Sequence, residues 1–430
     1  MTGTNRTVGA AIAPVFGLIC FALLHWKGLG LTPDGWALWQ GAVSLVEQRT
    51  YSYFSGTPIL AWPPVYPLYL GVWILALGPT ALALVVANGV LMVVQVAAWN
   101  RFARLIVDFP EGRRFAAHRI VLAAFIALFA TINQRDVTSH NLAYTLLPFY
   151  LGAVWKYALG RSEKILPMLV LGAVLPLTHN MALAFVGAGA FVIAVHRPHS
   201  VHRAVVASLI VAIAVASCWL VGVGFGLAAG HVIGLGRGRY TLAEYFWQMA
   251  EGTGWLLAPA VYGLSFVALI AVLALAVLLA RSEKASALRA GLLFVACGAA
   301  AIIVLFNLVW IFNELYGVYL LFIPFVLVPL VFVVGSHSRP IAALAVMLVA
   351  TVPQLYWGVR WMERQRLDVH ALGFTESHEC AAFVPLRAYL KPAYRAGLPV
   401  ETTRGLLIAP PSFEDRGLWG LYRPDVDCQP

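Results

Sequence analysis

The stretches 64–99, 204–236, 252–280 and 290–313 contain no Asp, Glu, Lys or Arg. A bilayer-crossing helix needs about 20 predominantly apolar residues, because every backbone polar group must be satisfied within the segment itself. Runs of this kind make lipid the main solvent of the chain. Composition agrees, with 61% of residues hydrophobic and only 11% charged, against roughly 25% charged in a soluble domain. A cytosolic globular enzyme is excluded.

Apolar runs that qualify as spans lie near 9–26, 81–99, 119–132, 141–158, 165–178, 181–195, 203–229, 256–280, 289–311, 315–335 and 340–357. The expected fold is therefore an all-α polytopic membrane protein with about eleven transmembrane helices. The runs 119–132, 165–178 and 181–195 are short for a full crossing, so their ends are predicted to extend or their helices to tilt. No Ala-x-Ala cleavage pattern follows the first run, which reads as a retained span. The halves of the chain show no internal repeat, an argument against an inverted-repeat transporter.

Segment 64–78, PVYPLYLGVWILALG, is long enough to pass for another span. The distribution of basic residues decides against it. If it does not cross, the loops with Arg101, Arg104, Arg113, Arg114 and Arg119, with Lys156, Arg161 and Lys164, with Arg197 and Arg203, and with Arg281, Lys284 and Arg289 all share the side of Arg6. That side is the cytoplasm. Segment 64–78 then lies in, or dips into, the outer membrane surface, and interfacial helices occupy the first external loop. The net charge of +10 is thus topological, and nucleic acid is not an expected partner.

The chain divides into a transmembrane domain, 1–358, and a soluble external tail, 359–430. The tail carries nine basic and nine acidic side chains. It also holds Cys380 and Cys428, which either pair as a disulfide in an oxidising compartment or stay as two thiols. The five Cys match no zinc or redox spacing.

Polar chemistry is pushed to the external loops. The first, 27–80, holds Asp34 with Trp36, Trp39, Trp62 and Tyr66; the second, 131–140, reads TINQRDVTSH and holds Arg135, Asp136 and His140; the long third, 230–255, holds His231, Arg237 and Arg239. Such a layout suits the joining of a lipid-linked substrate to a hydroxyl acceptor at the interface. A carboxylate takes the acceptor proton, cations neutralise a phosphate leaving group, and aromatic rims stack on sugar rings. Asp34 is the base candidate.

With its acid in PDGWALWQGAVSLVEQ, the aromatic-proline stretch WPPVYPLYL and a second acid in NQRDVTSH, the first 160 residues or so resemble the GT-C superfamily of membrane glycosyltransferases, which includes protein O-mannosyltransferases and the lipid A aminoarabinose transferase. The resemblance implies transfer of a sugar, with inversion, from a polyprenyl-phosphate-linked donor to a glycan, lipid or protein acceptor. It places the active site on the outer face of a bacterial inner (plasma) membrane. It makes Asp34 the catalytic base and Asp136 its partner, and gives donor phosphate to Arg237, Arg239, Arg135 and His231. Trp36, Trp62, Tyr66, His179, Glu314 and Tyr316 are candidate substrate contacts. Glu314-Leu315-Tyr316 stands where many members carry Arg-Tyr, and Gly35 follows Asp34 where many carry a second acid. No cofactor is expected, since one or two lone carboxylates are too few hard-oxygen ligands for a divalent metal.

Simpler roles stand beside these. Asp34 reads equally as a helix N-cap, and Asp136 as a partner for Arg135. The GLGRGR run, which follows no strand and is no dinucleotide fingerprint, also suits anionic membrane lipid. His179 and Asn180 suit a structural turn, and Glu314 a solvated one. Other functions remain open: a lipid-linked-sugar flippase or transporter, a glycan ligase or polymerase using a lipid diphosphate, and a non-catalytic scaffold.

Overall fold

A computed structural model describes residues 4–25, 33–52, 59, 62–106, 116–134, 137–196, 201–224, 286–309, 325–326, 400–401 and 406–407. The predicted spans 256–280 and 340–357, nearly all of 315–335, the loop 230–255 and both tail cysteines lie outside the described residues. Within them the chain is helical apart from a short antiparallel pair in the tail, Val400–Glu401 with Leu406–Leu407.

The helices are α1 Thr4–His25, α2 Pro33–Glu47, α3 Val65–Leu77, α4 Ala81–Ile106, α5 Ala116–Asn133, α6 Ser139–Ala158, α7 Leu166–Thr178, α8 Ala182–Val195, α9 Val201–Gly224 and α10 Ser286–Val309. Two segments, Leu82–Leu105 of α4 and Val201–Val221 of α9, are long and apolar enough to cross a membrane. The run 119–132 does extend, into an 18-residue helix. α7 and α8 do not, staying at 13 and 14 residues, or about 20 Å each. They form a short hairpin turned at His179–Met181.

Antiparallel packing makes the bundle. Where α1 crosses α4, a Cβ on Gly17 would meet Val93 Cα at 3.3 Å and one on Gly89 would meet the Phe21 ring at 3.3 Å, so the pairing runs in opposite directions with little room between. α6 lies against α4 in the same direction: Trp99 Nε1 donates to Tyr144 O at 3.0 Å, and Phe102 meets Trp155 edge-on at 5.5 Å. Phe325 closes the centre, stacking on Trp99 at 4.9 Å and touching Phe129 and Tyr144, each at 5.8 Å. A late segment of the chain thus enters the core of the first six helices.

α3 and α4 form a helical hairpin. Gly78, at a φ of 75°, makes the turn that an L side chain resists. Tyr66 and Tyr69 reach across it to Asn88 and the Ala87 carbonyl. Segment 64–78 therefore packs against the start of α4. Its Tyr66, Leu70 and Ile74 are buried while Leu68, Val72 and Leu75 are exposed, the two faces of one helix. α2 differs from the amphipathic surface helix expected, because every residue from Ala37 to Ser44 is buried. It is enclosed, mainly against α3.

The two ends of the bundle differ in chemistry. At one, Arg203 of α9 donates to the carbonyls of Ala158 and Tyr157 at 3.1 and 3.5 Å and lies 5.6 Å from the Tyr157 ring. Arg161 donates to Leu105 O at 3.4 Å. Both cations meet the negative ends of helix dipoles, at the carbonyls a helix C-terminus leaves unpaired. The opposite end carries histidines, amides and hydroxyls.

Candidate functional site

α1 ends on His25, whose Nε2 donates to the carbonyl oxygen of Gln134 at 3.0 Å. Gln134 follows the last residue of α5. The chain therefore leaves α1 and α5 at neighbouring points on one end of the bundle. Asp34 lies nine residues beyond His25 and is the second residue of α2. A helix that begins at Pro33 uses proline's fixed φ at its first position, and it places Asp34 inside the first turn. Trp36 is the fourth residue of the same helix. Asp136 and Arg135, two residues or fewer past Gln134, lie outside the described residues, as do His231, Arg237, Arg239, Glu314 and Tyr316.

Two polar clusters lie close to the His25–Gln134 contact. In the first, Gln95 Oε1 accepts from Gln134 Nε2 at 2.7 Å and from Asn133 Nδ2 at 3.3 Å. In the second, Asn88 Oδ1 accepts from Tyr66 Oη at 3.0 Å and from Asn141 Nδ2 at 3.4 Å, while Asn88 Nδ2 donates to Leu84 O. Thr138 Oγ1 donates to Asn141 Oδ1 at 3.3 Å and lies 2.7 Å from His140 Nε2. A hydroxyl has one proton, so Thr138 must accept from His140 if it donates to Asn141. That fixes the His140 proton on Nε2.

The His140 ring meets the His179 ring edge-on at 6.1 Å. His179 Nδ1 accepts from the Met181 N–H at 3.1 Å, which leaves its own proton on Nε2. Burial pushes the His179 imidazole down to about 4, so it is neutral at physiological pH. The α7–α8 turn therefore brings a neutral imidazole beside the His140 ring. His179 is thus a turn residue, its Nδ1 holding the Met181 N–H at the start of α8 and its ring set against that of His140.

Tyr66 is fully buried and commits its hydroxyl to Asn88, so it belongs to the α3–α4 contact. Trp62 is half-buried and its carbonyl accepts from Tyr51 Oη at 2.9 Å. Tyr51 and Ile59 close over Gly41 of α2, where a Cβ would lie 2.6 and 2.8 Å from their side chains. Among the described residues no group of three His, Cys, Asp or Glu comes together as a metal site. This end of the described part is lined by amides, hydroxyls and imidazoles. Gln95, Asn88, Asn133, Gln134 and Asn141 were not among the sequence candidates. Their signal was present as amides set in or at the ends of apolar runs.

The described chain is a helical bundle with two helices apolar enough for a membrane and a polar cluster at one end. No protein-family model, no curated protein and no solved structure matches the sequence.

Proposed function

We propose that this protein is an inverting membrane glycosyltransferase that moves a sugar from a polyprenyl-phosphate-linked donor to an acceptor hydroxyl on the outer face of the membrane. The observation that carries the reading is the His25–Gln134 bond. It ties the departure point of the Asp34 loop to that of the Asp136 loop, as one active site built from both loops requires. The opposite end, held by Arg161 and Arg203, is the cytoplasmic one by the positive-inside rule. The exposed apolar face of α9, with Val201, Val205 and Leu220, is a surface for lipid.

In the reaction, Asp34 takes the proton of the acceptor hydroxyl as general base. The acceptor oxygen attacks the anomeric carbon from the face opposite the phosphate. The carbon–oxygen bond to phosphate breaks, and polyprenyl phosphate departs with the bonding pair. Asp136 orients the acceptor or the base. Arg135, His231, Arg237 and Arg239 are the groups for the phosphate charge, while Trp36, Trp62 and His179 border the sugar.

The test is incubation of the purified protein with a hexose-linked polyprenyl phosphate and candidate acceptors, followed by mass and anomeric analysis. A product one sugar heavier and of inverted configuration supports the reading. Transbilayer movement of the intact donor without a new glycosidic bond replaces it with a flippase.

A further inference from the structure

We infer that Gln95, Asn133 and Gln134 form a recognition site for uncharged hydroxyl groups. All three side chains are shut off from solvent, at 0, 0 and 1% exposure. Their mutual bonds use only half of their chemistry. Gln95 Nε2, Asn133 Oδ1 and Gln134 Oε1 are buried without a hydrogen-bond partner. Each such atom is destabilising, and native proteins keep such groups rarely and for a reason.

The three atoms surround one shared oxygen, Gln95 Oε1. Each amide's second polar atom is about 2.3 Å from its first, given the C=O and C–N bond lengths. Since Gln95 Oε1 is bonded to the other two amides at 2.7 and 3.3 Å, all three unpaired atoms lie within about 6 Å of it. They comprise one donor and two acceptors. Turning all three amides over exchanges those roles and still leaves three atoms unpaired. A mixed set of this kind complements a hydroxyl, which both donates and accepts. It does not complement a phosphate, which brings acceptors only and finds no cation in the triad.

Two sources supply that chemistry: an internal water, and a hydroxyl of the transferred sugar. The sugar source rests on the proposed function; the water source does not. Position favours a link to the reaction, because Gln134 also holds His25 through its backbone and Asp136 is two residues further on. The triad would then grip the neutral, hydroxyl-bearing part of the substrate while charge is handled elsewhere.

The experiment uses the full-length protein in nanodiscs with Asn133→Leu, which gives up the longer bond together with an unpaired acceptor, and Gln134→Met as the second variant. The probes are undecaprenyl phosphate with and without a linked hexose. The sugar source predicts variants that fold with unchanged melting temperature, bind the sugar-free lipid as wild type does, and lose about tenfold in affinity for the hexose-linked lipid, the equivalent of one good hydrogen bond. If wild type responds to neither lipid, the proposed function fails, and the triad is then judged from a map resolving ordered water. Water within hydrogen-bond distance of two of the three amides upholds the hydroxyl site. Variants that bind the hexose-linked lipid as tightly as wild type, together with a triad that holds no water, overturn it.

Discussion

His25 Nε2 and the Gln134 carbonyl are 3.0 Å apart, although 109 residues of chain separate them. Their bond joins the far ends of α1 and α5, and contacts along the helices give the directions of their neighbours. α1, α5, α7 and α9 run toward the histidine end; α4, α6 and α8 run away from it. Single cysteines introduced into a cysteine-free background read this arrangement. Asn180→Cys is expected to react with a membrane-impermeant maleimide from outside intact cells, and Ser162→Cys only after permeabilisation. Equal labelling of both from outside would contradict the alternation.

Gly189 and Gly187 of α8 give a sharper test of packing. A Cβ on Gly189 would lie 2.6 Å from Tyr150 Oη, whereas one on Gly187 meets nothing within 4 Å. Tyr150 donates its hydroxyl to Val186 O at 2.9 Å and has no room to retreat. Gly189→Ala is expected to destabilise by about 1–3 kcal/mol, the usual cost of overpacking. Gly187→Ala is expected to leave stability unchanged or raise it by up to about 1 kcal/mol, because alanine favours the helix. Thermal unfolding in detergent compares the two directly.

Arg203 links α9 to the end of α6 through two carbonyls and the Tyr157 ring. Arg203→Ala is expected to cost about 1–2 kcal/mol, from lost capping and dipole interactions. Arg203→Lys is expected to recover only part of this, since an ammonium lacks the planar fork that reaches two carbonyls. Melting temperatures of the three proteins rank them.

His179 makes stability depend on pH. Its folded value of about 4 lies below its ordinary 6.5, so between those values the unfolded chain takes up a proton that the folded one refuses. The unfolded state binds more protons there, and stability rises with pH. The contribution is intact above about 6.5 and lost progressively toward 4. Melting temperature is expected to fall across that window, and less steeply in His179→Asn, which keeps a side-chain acceptor for the Met181 N–H. An unchanged slope in the variant would assign the dependence to other groups.

Much of the helical framework was legible because apolar run length translates directly into helix. The run read at 141–158 became Ser139–Ala158, and 203–229 became Val201–Gly224. α7 and α8 were legible as short helices at 165–178 and 181–195, and the extension allowed for their ends is not seen. α2 misled. It was expected to lie at the membrane interface, yet even its polar Gln40 and Ser44 are buried, and only the tertiary arrangement encloses them. The candidate residues differ in how plainly the sequence marks them. Arg135, Asp136 and His140 stand out in a loop by charge, whereas Gln95 is one amide in a run of valines. Its meaning depends on Asn133 and Gln134, which topology brings to it from 38 and 39 residues away. The pairing of His140 with His179 was invisible for the same reason.

The central claim is that Asp34 is the base of a sugar transfer at the end of the bundle where α1 and α5 meet. Turnover of a hexose-linked polyprenyl phosphate by Asp34→Asn tests it most directly, with Asp34→Glu and wild type measured beside it. Loss of a general base is expected to lower kcat by about 10²-fold or more, with donor binding preserved and with partial recovery in Asp34→Glu. Near-normal turnover by Asp34→Asn would contradict the account.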